Sequence, residues 1–176
     1  MPTVTLVPTA THAETGWASS NIHTILDDDS NSVAQTNSTC NFTGIVEDLD
    51  SSLSGATINS VKVTFKAQRG AKGNTTATVR LIDSGAGNAI SEILSYTDAS
   101  NPESLETSAV TTQSDGSTAL TFSYINDAIL RLTPASTGIT AYHLFVTVDY
   151  TPVAATDFPI NLTSGKISLT SGLISI

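Results

Sequence analysis

The sequence predicts an all-β protein: an antiparallel β-sandwich or jelly-roll with one short helix and an extended C-terminal β arm. Three observations predict it. Charged residues make up only 13% of the 176-residue chain, about half the share in an average globular protein. Ser and Thr take their place, backed by Gly, Asn and Asp, and with the β-branched apolar residues they suit strands joined by many turns. Apolar residues recur with a period of two in several segments, which gives a strand one dry and one wet face. Strand-like and helix-like segments do not alternate, which argues against a parallel α/β sheet.

Taken in order, Thr3 to Val7 alternates and reads as a short strand. The stretch from Thr9 to Asn21 is polar and loop-like, and it holds the single tryptophan, Trp17. Ile22 to Leu26 leads into the acidic run Asp27-Asp28-Asp29. Short strands are expected at Ser32 to Thr36 and at Phe42 to Leu49, followed by a turn from Ser51 to Ala56. The clearest strand is Thr57 to Gln68, TINSVKVTFKAQ, where Val61, Val63 and Phe65 alternate with Lys62, Thr64 and Lys66. Gly70 to Asn74 then closes a hairpin onto Thr76 to Asp83, with Val79 and Leu81 on one face and Arg80 and Ile82 on the other.

A turn from Ser84 to Asn88 leads to a strand over Ala89 to Tyr96, and Pro102 marks a loop from Asp98 to Glu103. Leu105 to Thr112 and Thr118 to Tyr124 read as strands about a turn at Ser114-Asp115-Gly116. Ile125 to Leu132 is the one helical candidate, and Pro134 bars its extension. Ala141 to Pro152 is a long strand with Tyr142, Leu144, Val146 and Val148 on one face. About eight to ten strands at this spacing suit a sandwich. The body spans residues 1–152, a linker 153–159, and a repeat 160–176.

Acidic residues outnumber basic ones 16 to 7, for a net charge of −9. Such a surface repels phosphate backbones and anionic membranes, so neither nucleic acid nor a membrane is expected as a partner. No apolar run is long enough to span a bilayer, and the first residues do not read as a signal peptide. The lone Cys40 has no CxxC spacing and reads as a buried or idle thiol. His12, His23 and His143 lack the spacing of a zinc site, and there is no GxSxG, so no enzyme is expected. Two binding readings stay open. Asp27, Asp28 and Asp29 form either a solvated turn or a calcium site, the one cofactor in question. Trp17 is either a core residue or an exposed platform for a carbohydrate.

The order of Trp17, the acidic turn, GATINSVKVTFKAQ from Gly55, TATVRLID from Thr76, INDAIL from Ile125 and HLFVTVDYTP from His143 resembles a known module. It is similar to the β-sandwich, jelly-roll-like module of structural proteins in tailed bacteriophages. The resemblance covers roughly residues 15 to 152. Where that group places a second tryptophan beside a glycine, this chain has Phe122-Ser123-Tyr124. The resemblance implies a virion structural protein of the capsid decoration type.

The repeat reads INLTSGKISLTSGLISI, a seven-residue unit begun three times. A coiled coil needs apolar residues at the first and fourth positions. Here they fall at the first and third, with Thr-Ser-Gly following, and that spacing means strand. Because seven is odd, each Ser-Gly must reset the face with a bulge or tight turn. Ile160, Leu162, Ile167, Leu169, Leu173, Ile174 and Ile176 therefore form an apolar β arm for oligomerisation or docking. Its unpaired edge implies a homo-oligomer, a trimer being a natural form, or contact with a major capsid protein or another virion protein. The expected role is a head decoration (cement) protein on the particle surface, assembled in the host cytoplasm. The alternative is a tail-fibre or receptor-binding module with a carbohydrate-binding face.

Overall fold

The computed structural model describes residues 1–27, 29–36, 40–70, 75–83, 87–134 and 138–154. Ten strands are present among them: β1 (Thr3–Leu6), β2 (Pro8–Thr15), β3 (Val33–Ala34), β4 (Asn41–Val46), β5 (Thr57–Arg69), β6 (Thr75–Ile82), β7 (Asn88–Tyr96), β8 (Glu103–Glu106), β9 (Ile129–Pro134) and β10 (Ile139–Thr151). Two short helices, α1 (His23–Leu26) and α2 (Phe122–Asn126), lie between them. The strands form two five-stranded antiparallel sheets. The first runs β1-β10-β5-β8, with β3 also on β10, and the second runs β2-β4-β9-β6-β7. The all-β sandwich expected from the sequence is the architecture observed. Among the described residues no helix is long and apolar enough to cross a membrane.

Two thirteen-residue strands, β5 and β10, form the spine of the first sheet. Ile58 and Val61 are both buried although their odd spacing puts them on opposite faces of a regular strand. A bulge resolves this: Asp149 pairs with Ser60 and Tyr150 with Ile58, so Asn59 is the extra residue. Val61, Val63, Phe65 and Ala67 then line the core with Leu144, Val146 and Val148. Phe42, Val79, Leu81, Ile90, Leu94, Leu130 and Leu132 meet them from the second sheet. Each such side chain, taken fully from water, contributes roughly 1.5–3 kcal/mol.

Five expectations are corrected. The polar stretch after Pro8 is strand β2, whose backbone pairs with β4 although its side chains lack clean alternation. The segment from Ile125 to Leu132 is not one helix. The helix sits earlier, where Thr121 caps it by accepting from the Tyr124 amide at 3.2 Å, and this also replaces the strand expected over Thr118 to Tyr124. Ile129 to Pro134 is instead a central strand, with pairing to β4 on one side and β6 on the other overriding helix propensity. Thr57 to Gln68 and Thr76 to Asp83 are not a hairpin: β5 and β6 belong to different sheets, so the chain crosses the sandwich between them. Tyr142 does not share the face of Leu144, because a bulge between Ala141 and His143 turns it out of the core and onto Gln68 Oε1 at 2.9 Å.

The expected strand from Leu105 to Thr112 is shorter, Glu103–Glu106, but its continuation still follows β5. The Thr107 hydroxyl accepts from the Val63 amide at 3.0 Å, and Val110 exchanges both backbone bonds with Val61. The expected turn at residues 71–74, part of that at 84–88, and the repeat residues Ile160, Leu162, Ile167, Leu169, Leu173, Ile174 and Ile176 lie outside the described residues.

Candidate functional site

The candidates from the sequence are not brought together. Trp17 is buried, only 9% exposed, and its indole N–H donates to the Asn41 carbonyl at 2.8 Å while its backbone bridges to Gln35. An indole so covered offers no open face for a sugar ring to stack on, so Trp17 is a core residue rather than a platform. Asp29 pairs with Lys66. Asp28 lies outside the described residues, and Asp27 keeps one buried side-chain oxygen without a partner among them. The described residues hold no group of three side chains able to share a metal ion. His143 lies on the outer side of β10 with its ring tilted on Phe145 at 4.6 Å.

A different place stands out, on the outer face of the second sheet. Inward residues of β4, β9 and β6 are apolar, so alternation turns the residues between them outward. Three cross-strand rows result. Ile45, Ile129 and Ile82 stand opposite one another in the first row. Thr43, Arg131 and Arg80 form the second. Thr133 and Thr78 form the third, with Asn41 one step beyond the Phe42–Leu132 pair on β4.

A groove of about 580 Å³ runs along this face, lined by Asn41, Thr43, Ile82, Ile129, Arg131 and Thr133 together with His12, Ala13 and Cys40. His12 reaches it through a bulge. Thr11 pairs with Gly44 and Ala13 with Thr43, so His12 is the extra residue on β2, re-aimed as bulges beside binding sites commonly do.

The electrostatics of the groove run against those of the chain. Only 7 of the 176 residues are Lys or Arg, yet two of them, Arg80 and Arg131, face each other directly across neighbouring strands. Like charges so placed repel, at a cost on the order of 0.2–1 kcal/mol. The ion pairs among the described residues are Lys62–Glu106 at 3.3 Å and Lys66–Asp29, so neither arginine has a carboxylate partner there. Asn41 lines the groove with a side-chain oxygen that is buried and has no hydrogen-bond partner among the described residues. Cys40 adds no reactivity: burial pushes its thiol up to about 12, far from a thiolate at neutral pH. The arrangement can therefore attract an anion, and its thiol is not activated.

Sequence reasoning missed this groove. Arg80 could be placed on an outward face from the alternation of TATVRLID, but Arg131 fell inside the segment read as helical, so their opposition had no local signal.

No protein-family model matches the chain, and no curated protein matches it in sequence. Several solved structures share its general chain path. The C-terminal CBM6 of LamC, a marine laminarinase from Zobellia galactanivorans, is 10% identical with a TM-score of 0.49, over 84% of this chain and 98% of that one. The carbohydrate-binding module CBM6cm-2 of Cellvibrio mixtus lichenase 5A, in complex with cellotriose, is 9% identical with a TM-score of 0.46, over 84% and 97%. The enzymatically active domain of tailspike protein 4 of bacteriophage CBA120 is 14% identical with a TM-score of 0.42, over 84% of this chain and 19% of that one. None of these likenesses carries a function to this chain.

Proposed function

We propose that the chain is a non-enzymatic structural protein of a bacteriophage particle, a decoration (cement) protein that sits on the head. The observation that carries this reading is the division of labour along the chain. Residues up to Thr151 supply both sheets and the core between them, so the repeat from Ile160 to Ile176 is not needed to complete a layer. Its seven apolar β positions are then available to neighbouring copies or to the capsid lattice. The residue pattern shared with phage sandwich modules points the same way. A decoration protein acts by burying interface between capsomers, which stabilises the shell by mass action.

Deletion of residues 160–176 tests this. The body is expected to keep its thermal transition while oligomerisation and particle binding, read by analytical ultracentrifugation and co-sedimentation, are lost. A deleted form that still saturates particles contradicts the role given to the arm.

The tail-fibre or receptor-binding reading is the second one. The groove on the outer face of the second sheet favours it, since a receptor module needs a concave site with a few polar groups.

A further inference from the structure

We infer that the groove on the outer face of the β2-β4-β9-β6-β7 sheet binds an acidic saccharide, with its carboxylate held by Arg131 and Arg80 and its ring hydroxyls by Asn41 and the neighbouring threonines. The inference does not depend on where the chain sits in a particle, and it can fail while the decoration role stands.

Four observations lead to it. First, Arg131 in the groove lining stands opposite Arg80 on the neighbouring strand, and neither has an ion-pair partner among the described residues of a chain with net charge −9. Repulsion between them is relieved when one anion bridges both, and the planar fork of each matches a carboxylate. Second, hydrogen-bonding side chains line the groove beside Arg131, namely Asn41, Thr43 and Thr133. A bare anion leaves these groups without partners, whereas a ligand that also carries hydroxyls pairs with them.

Third, the arginine row lies between a hydroxyl row and an isoleucine row: Thr78 and Thr133 on one side, Ile45, Ile82 and Ile129 on the other. A sugar ring has both kinds of surface, hydroxyls around its edge and C–H groups on its faces. Fourth, about 580 Å³ is the size of a small-molecule site. An acidic peptide meets the first condition, and its amides can meet the second, but it lacks the ring of hydroxyls and C–H faces that matches the third. The threonines and the Asn41 amide read as the orienting groups, and the arginines as the source of affinity.

The test is a titration of the full chain with trisaccharides of galacturonate, trisaccharides of glucuronate and sialyllactose, followed by calorimetry and by amide chemical shifts. At least one is expected to bind saturably, to shift the amides of Asn41, Thr43, Ile129 and Arg131, and to weaken as salt is added. A neutral trisaccharide is expected to bind at least about tenfold more weakly, and Arg131→Gln to lose about tenfold or more for the acidic ligand. Arg80→Gln is expected to lose affinity while its melting temperature holds or rises, because a like-charge contact is gone.

Asn41→Asp places a carboxylate in the groove and is expected to lose binding as well. Lys62→Gln, on the opposite sheet, is the control and keeps wild-type affinity. The inference is overturned if the neutral sugar binds as well as the acidic ones, or if a folded Arg131→Gln binds undiminished. Absence of saturable binding by every acidic sugar at millimolar concentration also overturns it. So does a triaspartate peptide that binds more tightly than any of them.

Discussion

Gly70→Ala is expected to destabilise the protein by about 3 kcal/mol or more, a drop of roughly 6–12 °C in melting temperature for a domain of this size. Gly70 follows β5 and Gly138 precedes β10, at the end of the ladder where Arg69 pairs with Ile139. A Cβ on Gly70 falls 2.0 Å from the Gly138 carbonyl oxygen and 2.7 Å from both its carbonyl carbon and its Cα. All three are backbone atoms, so no side-chain rotation relieves the overlap, and the two longest strands must separate at that end. Gly138 is itself held to glycine, because its φ of +108° is one that side-chain-bearing residues rarely adopt. Thermal unfolding of the variant measures the cost. An unchanged transition contradicts the close approach.

Tyr96 carries the second large effect. It ends β7, at the edge of the second sheet, and is fully buried. Its ring meets Phe65 edge-on at 5.5 Å and 79°, and its hydroxyl donates to the Phe65 carbonyl at 2.7 Å, which ties β7 to the centre of the opposite sheet. Tyr96→Ala is expected to cost about 3–5 kcal/mol. Tyr96→Phe keeps the packing and is expected to cost on the order of 1 kcal/mol, the net worth of one hydrogen bond.

The same residue sets an alkaline limit. Burial, and then the nearby Glu103 charge, hold the phenol well above its ordinary range. A folded-state pKa above the unfolded one means that stability is fully present below the unfolded value, about 10, and is lost as pH rises past it. Cys40, pushed up to about 12 by burial, acts in the same direction from its own ordinary value upward. Denaturant midpoints measured from pH 8 to 11 are expected to fall. The fall is expected to be shallower in Tyr96→Phe. Midpoints with the same slope in both proteins contradict the account.

Much of the fold was legible because β-structure writes its period into the chain. Val61, Val63, Phe65 and Leu144, Val146, Val148 show which face is buried, and the odd spacing from Ile58 to Val61 is the trace of a bulge. Ile125 to Leu132 was not legible. Leu130 and Leu132 satisfy a strand while the segment as a whole also satisfies a helix, and the choice is made by partners on β4 and β6 far away in sequence. Crossing between sheets after β5 is likewise a tertiary fact, since a hairpin and a crossover present the same two runs.

The site was less legible than the fold. Trp17 is polar in its surroundings along the chain yet buried in space, held by the Asn41 carbonyl. Arg131 and Asn41 come from two strands and meet only through sheet order, Arg80 stands opposite Arg131 on a third, and His12 joins the groove by a bulge that its polar surroundings do not announce. Recognition on a sheet face is assembled from register, and register is the property a single sequence encodes least directly.

The measurement that bears most directly on the proposed role is cryo-electron microscopy of purified particles containing the protein. The account predicts β-sandwich density repeated across the outer surface of the head, with C-terminal density running onto the capsid lattice or neighbouring copies. Density at the tail tip, with none across the head, would contradict it.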